Sequence, residues 1–108
     1  MLKIYQDALE VVRMTNGVVA VLERHDADLA RQLKKARCSI PLNISEGSHA
    51  QGARRNVHYG YAKGSAQESI GILETAQACR YLSEVPADVI DKLRKIVGTL
   101  CKCIGGHR

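Results

Sequence analysis

The sequence predicts an all-α fold: a single up-down-up-down four-helix bundle over residues 1–108, its second helix kinked by a proline. Three observations predict it. Apolar residues recur every three to four positions through four long stretches, the period of one helix face. The links between these stretches are short and rich in Asp, Gly, Ser and Pro, which favours antiparallel neighbours. Ala, Leu, Ile and Val dominate while Phe and Trp are absent, a composition for helices packed on helices; no stretch alternates like a strand.

The first helix is expected from Lys3 to Leu22, with Ile4, Ala8, Val11, Thr15, Val18 and Leu22 turned inward. Val12, Val19 and Val21 widen that face beyond one seam, so it should bury against more than one neighbour. Glu23 to Asp28 form a turn in which Asp26 or Asp28 can cap the next helix. The second helix runs to about Gly47, where glycine can end it in a left-handed conformation. Its inner stripe is Leu29, Leu33, Ala36, Ile40, Ile44 and Gly47, while Arg31, Lys34, Lys35 and Arg37 project outward. After a polar link from Ser48 to Ala53, a third helix is expected from Arg54 to Ser83. Its inner stripe reads Val57, Tyr61, Gly64, Glu68, Ile72, Thr75, Cys79 and Leu82. Gly60, Gly64 and Gly71 within it suggest close approach between backbones. Pro86 suits the first position of a fourth helix, with Val89, Leu93, Ile96, Leu100 and Cys103 inward and Gly105-Gly106 at its end.

Pro41 stands in mid-pattern of the second helix. It removes one backbone hydrogen bond and crowds the Arg37 carbonyl, at a cost of about 3 kcal/mol. Around it Ser39, Asn43 and Glu46 lie on or near the inner face, and Ser65 and Glu68 hold the matching place on the third helix. Buried polar groups need partners. These five residues therefore read as a structural polar network, in which Asn43 or Ser39 serves the backbone groups that Pro41 leaves unpaired.

Charge is unevenly spread. The net charge is +5; from Leu29 to Gln67 there are seven basic residues against one acid, Glu46, and from Lys92 to the end five against none. Such faces suit phosphate, or simply water. Four cysteines read as free thiols, with Cys38 and Cys79 on faces expected to be buried. Cys101-x-Cys103 diverges on a helix and would join His107 around a metal only if the chain end unwound. No apolar run reaches the length of a membrane span and no signal peptide is visible, so no membrane contact is expected and the default compartment is the cytoplasm.

Two segments carry a family resemblance. Ser39-Ile40-Pro41-Leu42-Asn43-Ile44-Ser45-Glu46-Gly47, followed by Gly64-Ser65-x-x-Glu68, resembles the S-I-P-x-N-I-A-E-G and G-S-x-x-E segments of the 23S rRNA intervening-sequence family of four-helix bundles. Ser45 stands where alanine is usual, and the usual phenylalanines of the third helix are absent. The resemblance extends from the first helix to Leu82. It implies a cytosolic bundle. A related branch, the accessory protein of diversity-generating retroelements, implies a basic homopentamer that binds nucleic acid and a reverse transcriptase.

For function, the residues leave three classes open. The first is a non-enzymatic, oligomer-forming bundle that binds RNA or DNA through Arg31, Lys34, Lys35, Arg54, Arg55 and His58, expected near one end or on adjoining faces. His58 and Tyr59 would stack on bases there. The second is a protein-interaction scaffold without nucleic-acid binding. The third is a metal-binding or catalytic bundle. Glu46-x-x-His49 with Glu68 offers part of a di-metal ligand set, but the second Glu-x-x-His of such centres is missing. Ser48 and His49 lack an orienting acid, and nothing marks a pocket between Glu46 and Glu68 read as a buried acid–base pair. No cofactor is therefore expected, and an enzyme is not.

Overall fold

A computed structural model describes residues 2–105. The chain is all-α, with five helices among the described residues: α1 (Leu2–Met14), α2 (Asn16–His25), α3 (Ala27–Ser48), α4 (Gly52–Ala78) and α5 (Ala87–Gly105). The fold measures 43 × 21 × 19 Å. The segment expected as one first helix is two, divided at Thr15 (φ −98°, ψ 1°). Thr15 Oγ donates to the Val11 carbonyl at 2.7 Å, a back-bond that bends helices. Arg37 of α3 enters the bend, its Nη1 donating to the Val12 carbonyl at 3.0 Å and to Thr15 Oγ at 2.9 Å. The expectation that Arg37 projects outward is corrected: it is 8% exposed. Its place follows the inner stripe, four residues after Leu33 and seven before Ile44.

Asp26 caps α3 by accepting from the Leu29 amide at 3.0 Å. The helix then runs through Pro41 to Ser48 without a break. Gly47 does not terminate it. A Cβ there would lie 2.4 Å from Cε1 of Tyr59, so glycine admits the Tyr59 ring against the α3 backbone. Asn43 Nδ2 donates at 2.9 Å to the carbonyl of Ser39, rather than to that of Arg37.

The three-residue turn 49–51 brings α4 back antiparallel along α3. The register of α4 differs from expectation. Its buried residues are Tyr59, Ala62, Ala66, Ser69, Ile72, Leu73 and Ala76. Val57 and Tyr61, expected inside, are 48% and 60% exposed. Gly64, Glu68, Thr75 and Cys79 are exposed as well. Ala62, Ala66 and Ala76 of α4 share one core with the large Leu33, Ile40 and Ile44 of α3. A Cβ added at Gly60, Gly64 or Gly71 would meet nothing within 4 Å, so these glycines mark no close approach.

The α4 helix ends five residues early. Arg80 adopts φ 65°, with Arg80 N bonded to the Gln77 carbonyl and Tyr81 N to the Ala76 carbonyl, each at 2.9 Å. This is a Schellman end built on a non-glycine residue. Residues 79–86 lead to α5, which packs on α4 and α1. Asp7, 3% exposed, ties α1 to α5 through Lys92 at 3.6 Å and Lys95 at 3.7 Å, with Lys3 at 3.2 Å on its own helix. Among the described residues no helix is long and apolar enough to cross a membrane.

Candidate functional site

The α3–α4 seam carries most of the residues singled out from sequence. Because the helices are antiparallel, residues pair off in falling order along it. Ser65 Oγ donates to Ser39 Oγ at 2.9 Å, Asn43 Nδ2 donates to the same Ser39 oxygen at 2.9 Å, and His58 Nδ1 donates to Asn43 Oδ1 at 3.1 Å. The amide of Asn43 points its nitrogen at Ser39, which leaves its oxygen for His58 and places the imidazole proton on Nδ1. One hydrogen-bonded chain thus crosses the seam from His58 through Asn43 and Ser39 to Ser65. Buried Ser69 backs it, donating to the Ser65 carbonyl at 2.9 Å.

Glu46 and Glu68 stand outside this chain. Both are exposed, and neither carboxylate takes a hydrogen bond or ion pair among the described residues. They lie at different levels of the hairpin, roughly 15 Å apart along the helix axis by helix rise. His49 Nδ1 lies 2.8 Å from the Ser45 carbonyl, its own i−4 position. Among the described residues no three of His, Cys, Asp and Glu come close enough to hold a metal ion. The four cysteines are free, with Cys38 and Cys79 exposed rather than buried; His107 lies outside the described residues.

The basic residues fall into two clusters rather than one. Arg31, Lys34 and Lys35 are on the N-terminal half of α3, and Arg54 and Arg55 on the first turn of α4, roughly 20 Å away by helix rise. Arg55 is committed to structure: its Nε donates to the carbonyls of Gly47 at 3.2 Å and Ala50 at 3.0 Å, closing the α3 C-terminus. Lys34 reaches Glu23 of α2 at 3.3 Å. Arg31 pairs with Asp28, which Gln32 also bonds at 2.8 Å. These hydrogen bonds and the Arg31 charge hold the Asp28 carboxyl below its ordinary value. Lys35, Arg54 and Lys63 have no partner among the described residues. Tyr59, expected to stack on bases, is 3% exposed and belongs to the core. Tyr61 is the exposed ring, meeting His58 edge to face with centroids 6.2 Å apart.

Between the helices, Arg31, Gln32, Lys35, Ala36, Ser39, Ser65 and Glu68 line a groove of about 360 Å³. Sequence pattern does not assemble it, since it turns Glu68 inward and does not single out Gln32. The antiparallel pairing of Ser39 with Ser65 is the signal that puts Lys35 and Glu68 on facing walls.

No curated protein and no solved structure matches the chain. The family model described as 23S rRNA-intervening sequence protein matches residues 1–105, both halves of the hydrogen-bonded seam included. On that near-complete match the chain belongs to the 23S rRNA-intervening sequence protein family.

Proposed function

We propose that this protein is a non-enzymatic nucleic-acid-binding module of the cytoplasm that works as a homo-oligomer. In this reading α1 and α2 serve as one bent arm, and residues 1–108 form one bundle of four helical arms. The observation that carries the reading is the excess of cations on the α3–α4 hairpin. Lys35, Arg54 and Lys63 are unpaired among the described residues, on a hairpin with seven basic residues against four acids, Asp28, Glu46, Glu68 and Glu74. Unpaired cations on one hairpin suit a phosphate backbone, and repeating them around an oligomer would add weak contacts together. The family resemblance suggests a pentamer for this oligomer and, through the related retroelement branch, a reverse transcriptase as a protein partner.

A second reading, a protein-interaction scaffold, is favoured by one observation. Leu42, Val57 and Tyr61 are large apolar side chains left 65%, 48% and 60% exposed on the same hairpin. Such exposed apolar side chains suit a protein neighbour better than a phosphate. Purification of the untagged protein at low salt, with the mass of the assembly and its ultraviolet spectrum measured, separates the two. Co-purifying nucleic acid supports binding through the cations. A clean assembly that captures no RNA or DNA at low salt supports the scaffold.

A further inference from the structure

The two walls of the α3–α4 groove have opposite polarity. On the α3 wall Ser39 Oγ accepts from Asn43 and from Ser65, each at 2.9 Å. Both acceptor sites of that hydroxyl are then used, and its own proton remains to donate. Lys35 beside it adds three donors and a charge with no partner among the described residues. Arg31, paired with Asp28 at the rim, offers a flat cation on which a base can stack. On the α4 wall the order reverses. Ser65 has given its proton to Ser39 and can only accept, and the Glu68 carboxylate is an acceptor with no partner among the described residues.

A ligand for this groove brings acceptors to α3 and donors to α4. Bare phosphate fits one wall and is repelled by Glu68 on the other. A nucleotide fits both. Among bases, guanine presents two adjacent donors, N1–H and the N2 amine, which match the two oxygens of a carboxylate. Uracil offers a single N–H between two carbonyls. Adenine and cytosine set a bare ring nitrogen beside their amine, and its lone pair would face the carboxylate. At about 360 Å³ the groove is of small-ligand size, against about 300–1,000 Å³ for such pockets.

We infer that the groove takes one guanine nucleotide, with its phosphate on Lys35 and Ser39 and its base edge on Glu68. The inference rests on the nucleic-acid reading above and names the nucleotide that this surface selects. Glu68 reads the base, and Lys35 anchors the backbone without reading it.

The test compares a short oligouridylate, the same strand with one central guanosine, and free GMP against free UMP, each titrated into the full-length protein at low salt. The guanosine strand is expected to bind about tenfold tighter than the all-uridine strand. Glu68→Gln should erase that difference with helix content unchanged, and all-uridine binding should be no weaker, since the carboxylate that repels phosphate is gone. Lys35→Ala should weaken both strands alike. GMP preferred over UMP, with the preference lost in Glu68→Gln, supports the groove as a site for the free nucleotide too. Strands that bind with no guanine preference, or a preference that survives Glu68→Gln, overturn the inference and leave the nucleic-acid reading standing. If GMP binds through Glu68 while neither strand binds at low salt, the nucleic-acid reading falls and the groove remains.

Discussion

Single residues on the α3–α4 seam are set by contacts that their chemistry makes specific. Gly47 is the sharpest case. A methyl group there would overlap the buried Tyr59 ring at 2.4 and 2.5 Å, and a ring 3% exposed has little room to retreat. Alanine gains about 1 kcal/mol of helix propensity, but overpacking costs about 1–3 kcal/mol or more where the backbone must move. Gly47→Ala should therefore lose about 1–2 kcal/mol in urea denaturation; an unchanged midpoint would show that Tyr59 is not locked against α3. Asp7 gives a pH signature. Burial pushes its carboxyl up, but the Lys3 hydrogen bond and the Lys3, Lys95 and Lys92 charges together outweigh burial and hold it below its ordinary value. A lowered folded-state value means the contribution is present above the ordinary value and is lost as pH falls through the folded one. Thermal melts of the wild type should fall on acidification below about pH 4, and Asp7→Asn should lose about 1 kcal/mol at neutral pH and show a shallower acid decline. Ser39, Asn43 and Ser65 are legible as a network because short polar side chains near a core face have few other places to bond. Glu46 and Glu68 are not, because a long carboxylate at the edge of the same face can stand out in water.

At the scale of elements, the apolar pattern serves α1, α2, α3 and α5 well and α4 badly. Large apolar residues on one face fix the register of α5, where Val89, Leu93, Ile96 and Leu100 are all buried as expected. On α4 the core residues are mostly alanine and serine, while Val57 and Tyr61 point outward. Size therefore marks the wrong face. The break at Thr15 is hidden for another reason, since it depends on Arg37 arriving from α3. Arg37 Nε is buried without a partner, and no carboxylate pairs with this guanidinium among the described residues. Removing the side chain takes a donor from the Val12 carbonyl and from Thr15 Oγ and opens a cavity, whereas an apolar chain of similar length avoids burying a charge. Arg37→Ala should cost about 2–4 kcal/mol and Arg37→Met much less; equal losses in chemical denaturation would mean that the hydrogen bonds, which both variants lack, hold the bend rather than packing. The α4 terminus makes a prediction of opposite sign. Arg80 occupies the left-handed region, which costs a residue with a side chain about 1 kcal/mol, so Arg80→Gly should raise the melting temperature.

For the whole molecule, the division of cations between structure and solvent matters more than the net charge of +5. Arg37 pins a bend, Arg55 closes α3, Lys92 and Lys95 hold Asp7, and Lys34 reaches Glu23. Lys35, Arg54 and Lys63 remain as unpaired charges on the α3–α4 hairpin. Sequence composition weighs all these cations equally, and only the tertiary contacts separate them. If the hairpin is the binding surface, the salt dependence of binding reports how many phosphates it neutralises. The most direct measurement is the affinity for a single-stranded RNA across a salt series, for the wild type and for Lys35→Ala with Arg54→Ala. Binding should be detectable at low salt, weaken steeply as salt rises, and lose about 1.4 from the log–log slope in the double variant, about 0.7 for each phosphate contact removed. No detectable binding at low salt, or a double variant with the same affinity and slope as the wild type, would contradict the assignment of this hairpin to nucleic acid.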